Sequence, residues 1–225
     1  MKDIFLLDVD DTLLDFKRGE REQVLTTLRK FGFAATPQAA ERYHDINDAL
    51  WKQLEQGTVT REQLLTLRFE RLLAEFGWQG DAREINRDYF EGLSEKAYLI
   101  DGAKQFLLNL KERGRRYAVT NGSAYVQGKR TAAAGIDTLF DAAFVSERVG
   151  HNKPSPAYAA FVREHIPSFD AARAVWIGDS LTSDLPCAQT LGVDFILFCP
   201  DGVPAGYEGF SARSYAQALC LIDEM

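Results

Sequence analysis

The chain has 225 residues, with 26 Lys and Arg against 33 Asp and Glu, a formal charge of −7. Hydrophobic residues make up 46% and charged residues 26%, the balance of a globular protein whose length fits one domain or a core with a smaller insertion. The acidic balance excludes a nucleic-acid scaffold, which needs a basic face, and no apolar stretch approaches the roughly 20 residues of a membrane span.

Met1-Lys2-Asp3 lead straight into an apolar run with no secretory pattern, so a cytoplasmic protein is expected. Cys187, Cys199 and Cys220 are odd in number and form no CxxC pair. They are therefore expected to be buried, reduced thiols rather than a disulfide or zinc framework. The first strand ends at Leu6-Leu7, where Asp8-Val9-Asp10-Asp11-Thr12 begins. From Phe16 to Lys96 apolar residues recur every three or four positions. Val24, Leu25, Leu28 and Phe31 mark one helix, and Tyr43, Ile46, Leu50 and Leu54 a second. Thr60 is placed to cap a third running to Phe76, and Ile85, Tyr89, Phe90 and Leu93 mark a fourth. This block, residues 16–96, reads as an inserted all-α domain, with residues 1–15 and 97–225 as the core domain.

Beyond Gly102 helices alternate with short apolar strands. The predicted strands are Arg116 to Thr120, Ala143 to Val145, Ala174 to Ile177 and Phe195 to Phe198. The predicted helices run Phe106 to Leu110, Val126 to Ala134, Tyr158 to His165, Leu185 to Leu191 and Tyr215 to Ile222. That alternation implies an α/β fold: a Rossmann-like parallel sheet with helices on both faces, which binds ligands at the carboxyl ends of its strands.

Those strand ends are polar. Asp8 and Asp10, two residues apart, share a face, and their mutual repulsion calls for a cation such as Mg²⁺. Thr120-Asn121-Gly122-Ser123 offers a hydroxyl and backbone N–H groups at a helix start, a cradle for an anion. Gly150-His151-Asn152-Lys153-Pro154-Ser155-Pro156 is a proline-stiffened loop carrying one cation, and Gly178-Asp179-Ser180-Leu181-Thr182-Ser183-Asp184 adds two acids. Taken singly, each reads as a turn, a helix cap or a solvated charge.

Taken together and in this order they resemble the haloacid dehalogenase superfamily. Its DxDx[TV] corresponds to Asp8 through Thr12, its strand-end Thr/Ser to Thr120, its Lys to Lys153 and its GDxxxxD to Gly178 through Asp184. The helical block falls where that family carries its first-position cap. The resemblance implies a Mg²⁺-dependent phosphomonoester hydrolase. Asp8 would be the nucleophile forming an aspartyl-phosphate, and Asp10 the acid and base for leaving alcohol and attacking water. Mg²⁺ would sit on the side chains of Asp8 and Asp179 and the backbone carbonyl of Asp10. Thr120, the backbone of Asn121 and Lys153 would bind the phosphoryl oxygens, and Asp184 would orient Lys153 or a metal-bound water. An acid at position 10 argues against dehalogenation, whose halide needs no proton.

Leu13-Leu14-Asp15-Phe16, Asn47 through Trp51 and Glu55 through Glu62 further resemble the pyrimidine 5′-nucleotidase branch. A nucleoside monophosphate is then the implied substrate, with Phe16 and Trp51 as candidate nucleobase contacts. Tyr43, Phe69 and Trp78 are expected to be packing residues, and Arg61, Arg68 and Arg71 a solvated face. A sugar-phosphate or phosphoglycolate phosphatase, a phosphomutase and a non-catalytic binding protein on the same fold are the alternatives. No seam for self-association is evident, so a monomer is expected, a dimer remaining compatible.

Overall fold

The computed structural model describes residues 1–225. The first strand, β1 (Ile4–Leu7), is followed by α1 (Phe16–Lys30), α2 (Pro37–Glu55), α3 (Arg61–Phe76) and α4 (Ala82–Leu93). Then come α5 (Ala103–Lys111), β2 (Arg115–Thr120), α6 (Ala124–Ala133), β3 (Ala142–Val145), α7 (Ser146–Val149) and α8 (Pro156–His165). The chain closes with β4 (Ala174–Gly178), α9 (Asp184–Leu191), β5 (Asp194–Phe198), β6 (Ser211–Ala212) and α10 (Tyr215–Glu224). It divides into two compact units, Met1–Asp15 with Leu99–Met225, and Phe16–Tyr98.

The first unit is built on a six-stranded sheet, order β3-β2-β1-β4-β5-β6, and every pairing is parallel. Strand β1 is central because all four of its residues are apolar and buried. Their alternation feeds two cores. Phe5 and Leu7 pack with Phe106, Leu107 and Leu110 of α5 and Tyr215 and Ile222 of α10. Ile4 and Leu6 pack with Tyr158 and Val162 of α8 and Cys187 and Leu191 of α9 on the other face. From β1 the chain builds outward through β2 and β3, then crosses back to lay β4 against the free edge of β1. The strand order therefore reverses between β1 and β4, where open α/β sheets place their ligands.

The two-residue strand β6 departs from the sequence reading. It is too short to show a period, and it follows a Pro- and Gly-rich stretch that reads as loop. Backbone bonds from Leu197 N to the Phe210 carbonyl and from Cys199 N to the Ala212 carbonyl, both 2.9 Å, hold it at the edge. The thiols also depart: only Cys187 is buried, Cys199 being half-buried and Cys220 exposed.

In the helical unit, Thr60 and Gln63 close a reciprocal capping box at the start of α3, and left-handed Gly77 ends it. Tyr43, Phe69 and Tyr89 form its aromatic centre, with ring centroids 5.1–5.5 Å apart. Trp78 stacks between Phe33 and Phe76. Arg68 is not on a solvated face. Its guanidinium is buried and donates to Asn86 Oδ1 at 2.6 and 3.0 Å, while Asn47 binds the equally buried Glu20 at 2.8 Å. His44 Nδ1 lies 2.6 Å from the same Glu20. Helical periodicity identifies the inward stripe of apolar residues but is silent on polar groups that enter it as hydrogen-bonded sets.

Candidate active site

The registry of the sheet fixes the site. Leu7 lies level with Ala118 of β2 and Ile177 of β4, so the residues that follow each strand emerge side by side. The Asp8 amide still donates to the Ile177 carbonyl (2.9 Å), anchoring the first acid to the sheet before the chain turns. Asp11 adopts φ 53°, a left-handed conformation that Asp tolerates better than most residues. Leu13 N and Leu14 N both return to the Val9 carbonyl, at 2.9 and 2.8 Å, closing the acidic segment into a tight loop.

Lys153 is the hub. The loop after α7 carries its side chain into the interior, where it is 2% exposed. Its Nζ donates to Asp8 Oδ1 at 2.7 Å, Asp184 Oδ1 at 2.6 Å and the Val119 carbonyl at 3.0 Å. All three ammonium protons are thus used. Asn121 locks this loop with its side chain, donating from Nδ2 to the Lys153 carbonyl (2.9 Å) and accepting from Lys153 N at Oδ1 (2.7 Å). The sequence reading gave Asn121 only a backbone role.

Asp184 opens α9 but does not cap it. Besides Lys153, its Oδ1 accepts from the Trp176 indole N–H (3.1 Å) and its Oδ2 from Ser180 N (3.2 Å). A Cβ on Gly178 would fall 2.3 Å from Asp184 Oδ2, which explains the glycine beside Asp179. Asp179 accepts from the Thr12 hydroxyl at 3.4 Å. Thr120 Oγ1 accepts from Gly122 N (3.2 Å) and Gln127 Nε2 (2.9 Å), leaving its own proton to donate elsewhere. At the start of α6 the Ala124 N–H is already taken by the Glu147 carboxylate (2.7 Å), so part of the expected anion cradle is filled by the protein itself.

Electrostatics bear on whether these groups fit a metal ion. Carboxylate oxygens of Asp8, Asp179 and Asp184 lie within 4.8 Å of one another. Burial pushes the Asp8 carboxyl well up; the ammonium of Lys153 opposes this, and Asp184 and Asp179 add to it. Burial, then the charges of Asp184 and Asp11, push Asp179 up to about 7. For Lys153 burial works against the charge, but Asp184 and Asp8 overturn it and hold the ammonium well above its usual range. One cation for three acids leaves the cluster short of positive charge, and hard oxygen donors suit Mg²⁺. Asp184 already accepts from Lys153, Trp176 and Ser180, more donors than hold Asp8 or Asp179, so those two are the side chains better fitted to hold such an ion.

Asp8, Asp10, Thr120, Asn121, Lys153, Asp179 and Asp184 are therefore brought to one edge of one sheet. Phe16 and Trp51 belong to the helical unit, both half-buried, with the Arg61 guanidinium 5.4 Å from the Trp51 ring centre. Sequence reasoning missed Gln127 and Arg130. Gln127 donates to Asp10 Oδ2 at 2.6 Å and Arg130 Nη1 to Asp10 Oδ1 at 2.5 Å. Their three-residue spacing on a helix that starts beside Thr120 was the available signal.

The model of the haloacid dehalogenase-like hydrolases matches residues 2–192, and the chain belongs to that family. It is 37% identical over 199 residues to the HAD-hydrolase YfnB of Bacillus subtilis, covering 88% of this chain and 85% of the relative. The crystal structure of YfnB, described as bound to magnesium, superposes with a TM-score of 0.92 at 34% identity over 99% of both chains. The pyrimidine 5′-nucleotidase PynA of Streptococcus pneumoniae is 33% identical over 87% of this chain and 83% of its own. The pyrimidine 5′-nucleotidase YjjG of Escherichia coli is 26% identical over 97% and 98%. No helix is long and apolar enough to cross a membrane.

Proposed function

We propose that the chain is a Mg²⁺-dependent phosphomonoester hydrolase with Asp8 as nucleophile, acting on nucleoside 5′-monophosphates with a preference for pyrimidines. The observation that carries the chemistry is the buried Asp8 at the end of the central strand, 2.7 Å from Lys153 and flanked by Asp179. The substrate class rests on the likeness to the two pyrimidine 5′-nucleotidases.

A phosphate monoester is a dianion and repels a carboxylate, so charge has to be neutralised before the two can meet. Lys153 removes part of the negative charge on Asp8 and fixes the direction of its carboxylate. Asp8, Asp179 and the Asp10 carbonyl would hold a Mg²⁺ ion, which would supply Lewis-acid neutralisation of negative charge. Asp8 forms a bond to phosphorus as the ester oxygen departs, and Asp10 gives that oxygen its proton. Water then attacks the aspartyl-phosphate, Asp10 takes the water's proton, and Asp8 and inorganic phosphate are released. The Thr120 hydroxyl donates to a phosphoryl oxygen throughout.

A phosphate-release panel of nucleoside monophosphates, sugar phosphates and phosphoglycolate, run with and without EDTA, tests this. Turnover favouring pyrimidine nucleotides and abolished by EDTA is expected. Equal or better turnover of sugar phosphates would remove the nucleotidase assignment, and activity surviving excess chelator would contradict the metal's role.

A further inference from the structure

Both oxygens of the Asp10 carboxylate are gripped from α6. Arg130 Nη1 donates to Oδ1 at 2.5 Å and Gln127 Nε2 to Oδ2 at 2.6 Å, and Gln127 Nε2 also reaches Thr120 Oγ1 at 2.9 Å. Arg130 is fully buried and Gln127 is 3% exposed, while the Asp10 side chain keeps 27% of its surface. A guanidinium withdrawn from water is a heavy desolvation cost, one not needed to pack a helix that already buries Val126. The turn before α6 is cut to admit this pair. A Cβ on Gly122 would fall 2.4 Å from Gln127 Nε2, so the glycine lets the amide lie across the strand end.

We propose that Gln127 and Arg130 are positioning residues for Asp10. They hold its carboxyl plane so that the exposed lone pairs face the ester oxygen that leaves and the water that attacks, and the shared amide ties that plane to the Thr120 hydroxyl. This rests on Asp10 acting as proton donor and acceptor, and extends it by naming what aims the group. No bond to substrate is made by either residue. The proton still passes from Asp10 to the departing oxygen as the ester bond breaks, and returns from water as the bond to Asp8 breaks.

An ester whose leaving group needs no proton separates aiming from folding. For the intact chain with Mg²⁺, kcat/KM is measured on a nucleoside monophosphate, whose nucleoside oxygen needs a proton to leave, and on p-nitrophenyl phosphate, whose p-nitrophenolate leaves without one. General-acid help amounts to about 10²–10⁴-fold for the first. Arg130→Met is expected to lower nucleotide turnover by about 100-fold and p-nitrophenyl phosphate turnover by less than about threefold. Arg130→Lys should recover part of the loss, and Gln127→Leu should show the same selectivity at about tenfold. In an Asp10→Asn background Arg130→Met should add less than about twofold, because the group it aims is gone. If Arg130→Met does not fold, Gln127→Leu and Arg130→Lys carry the comparison. Equal losses on both esters, no loss on either, or full additivity with Asp10→Asn would overturn the proposal. A parent protein that hydrolyses neither ester would instead overturn the phosphatase reading, and this one with it.

Discussion

Replacing Lys153 with Met tests the buried charge network at its centre. The ammonium is 2% exposed and pairs with Asp8 at 2.7 Å and with the fully buried Asp184 at 2.6 Å. Methionine fills nearly the same volume, so the cost is electrostatic rather than a cavity. Removing one partner of a buried pair typically costs about 3–5 kcal/mol, because the remaining charge is stranded. Two carboxylates would be stranded here, but Asp8, already pushed upward by burial, can take up a proton and limit the loss. The expected destabilisation is therefore about 3–5 kcal/mol at pH 8 and visibly smaller near pH 5. Urea unfolding in chelator reads this directly when Trp51 and Trp78 are replaced by Phe. Trp176, whose indole bonds Asp184, is then the sole tryptophan reporter of the core. In the double variant Lys153→Met/Asp184→Asn one stranded charge disappears, and a coupling of about 1–3 kcal/mol is expected. A single-variant loss below about 1 kcal/mol, or strict additivity, would refute the claim that this lysine neutralises the acids.

Further outcomes follow from the same structure. The Asp179 carboxyl, at about 7 in the folded chain against an ordinary 3.8, holds a proton that the unfolded chain has lost between those values. Metal-free stability should accordingly fall as pH rises from about 4 to 7, and Mg²⁺ affinity, which requires the ionised forms of Asp179 and of the likewise raised Asp8, should climb with pH over that range. Calorimetric titration showing a flat affinity from about pH 5.5 to 8 would contradict the shift. Gly178→Ala drives a methyl into the Asp184 carboxylate, whose two oxygens together are held by three donors, and should cost about 1–3 kcal/mol together with most activity. Gly128→Ala, on α6 with nothing within 4 Å, should instead gain about 0.5–1 kcal/mol; equal thermal shifts for the two would sink the steric reading.

The legible part of this chain is the part with period or spacing. Apolar stripes such as Tyr43, Ile46, Leu50 and Leu54 announce helices, and the unbroken apolar run Ile4 to Leu7 serves two cores at once. The acids at the ends of β1 and β4 could be read as one site because a parallel sheet aligns its carboxyl ends. What stayed hidden depends on partners distant in sequence. Arg68 looks like a surface charge until Asn86 and Asn47 enclose it. Asn121 is a loop strut only because the Lys153 backbone returns to meet it. Gln127 and Arg130 differ from other polar residues of α6 only in facing Asp10, 117 and 120 positions away. Strand β6 owes its existence to the edge that β5 leaves open.

The most direct test of the account is chemical capture of the phosphoenzyme. The protein is turned over on a nucleoside monophosphate with Mg²⁺, quenched with hydroxylamine and digested, and the peptides are weighed. A substrate-dependent hydroxamate on Asp8, absent in Asp8→Asn together with phosphate release, is the expected result. Sustained turnover with Asp8 unmodified, or undiminished turnover by Asp8→Asn, would contradict the assignment of the nucleophile.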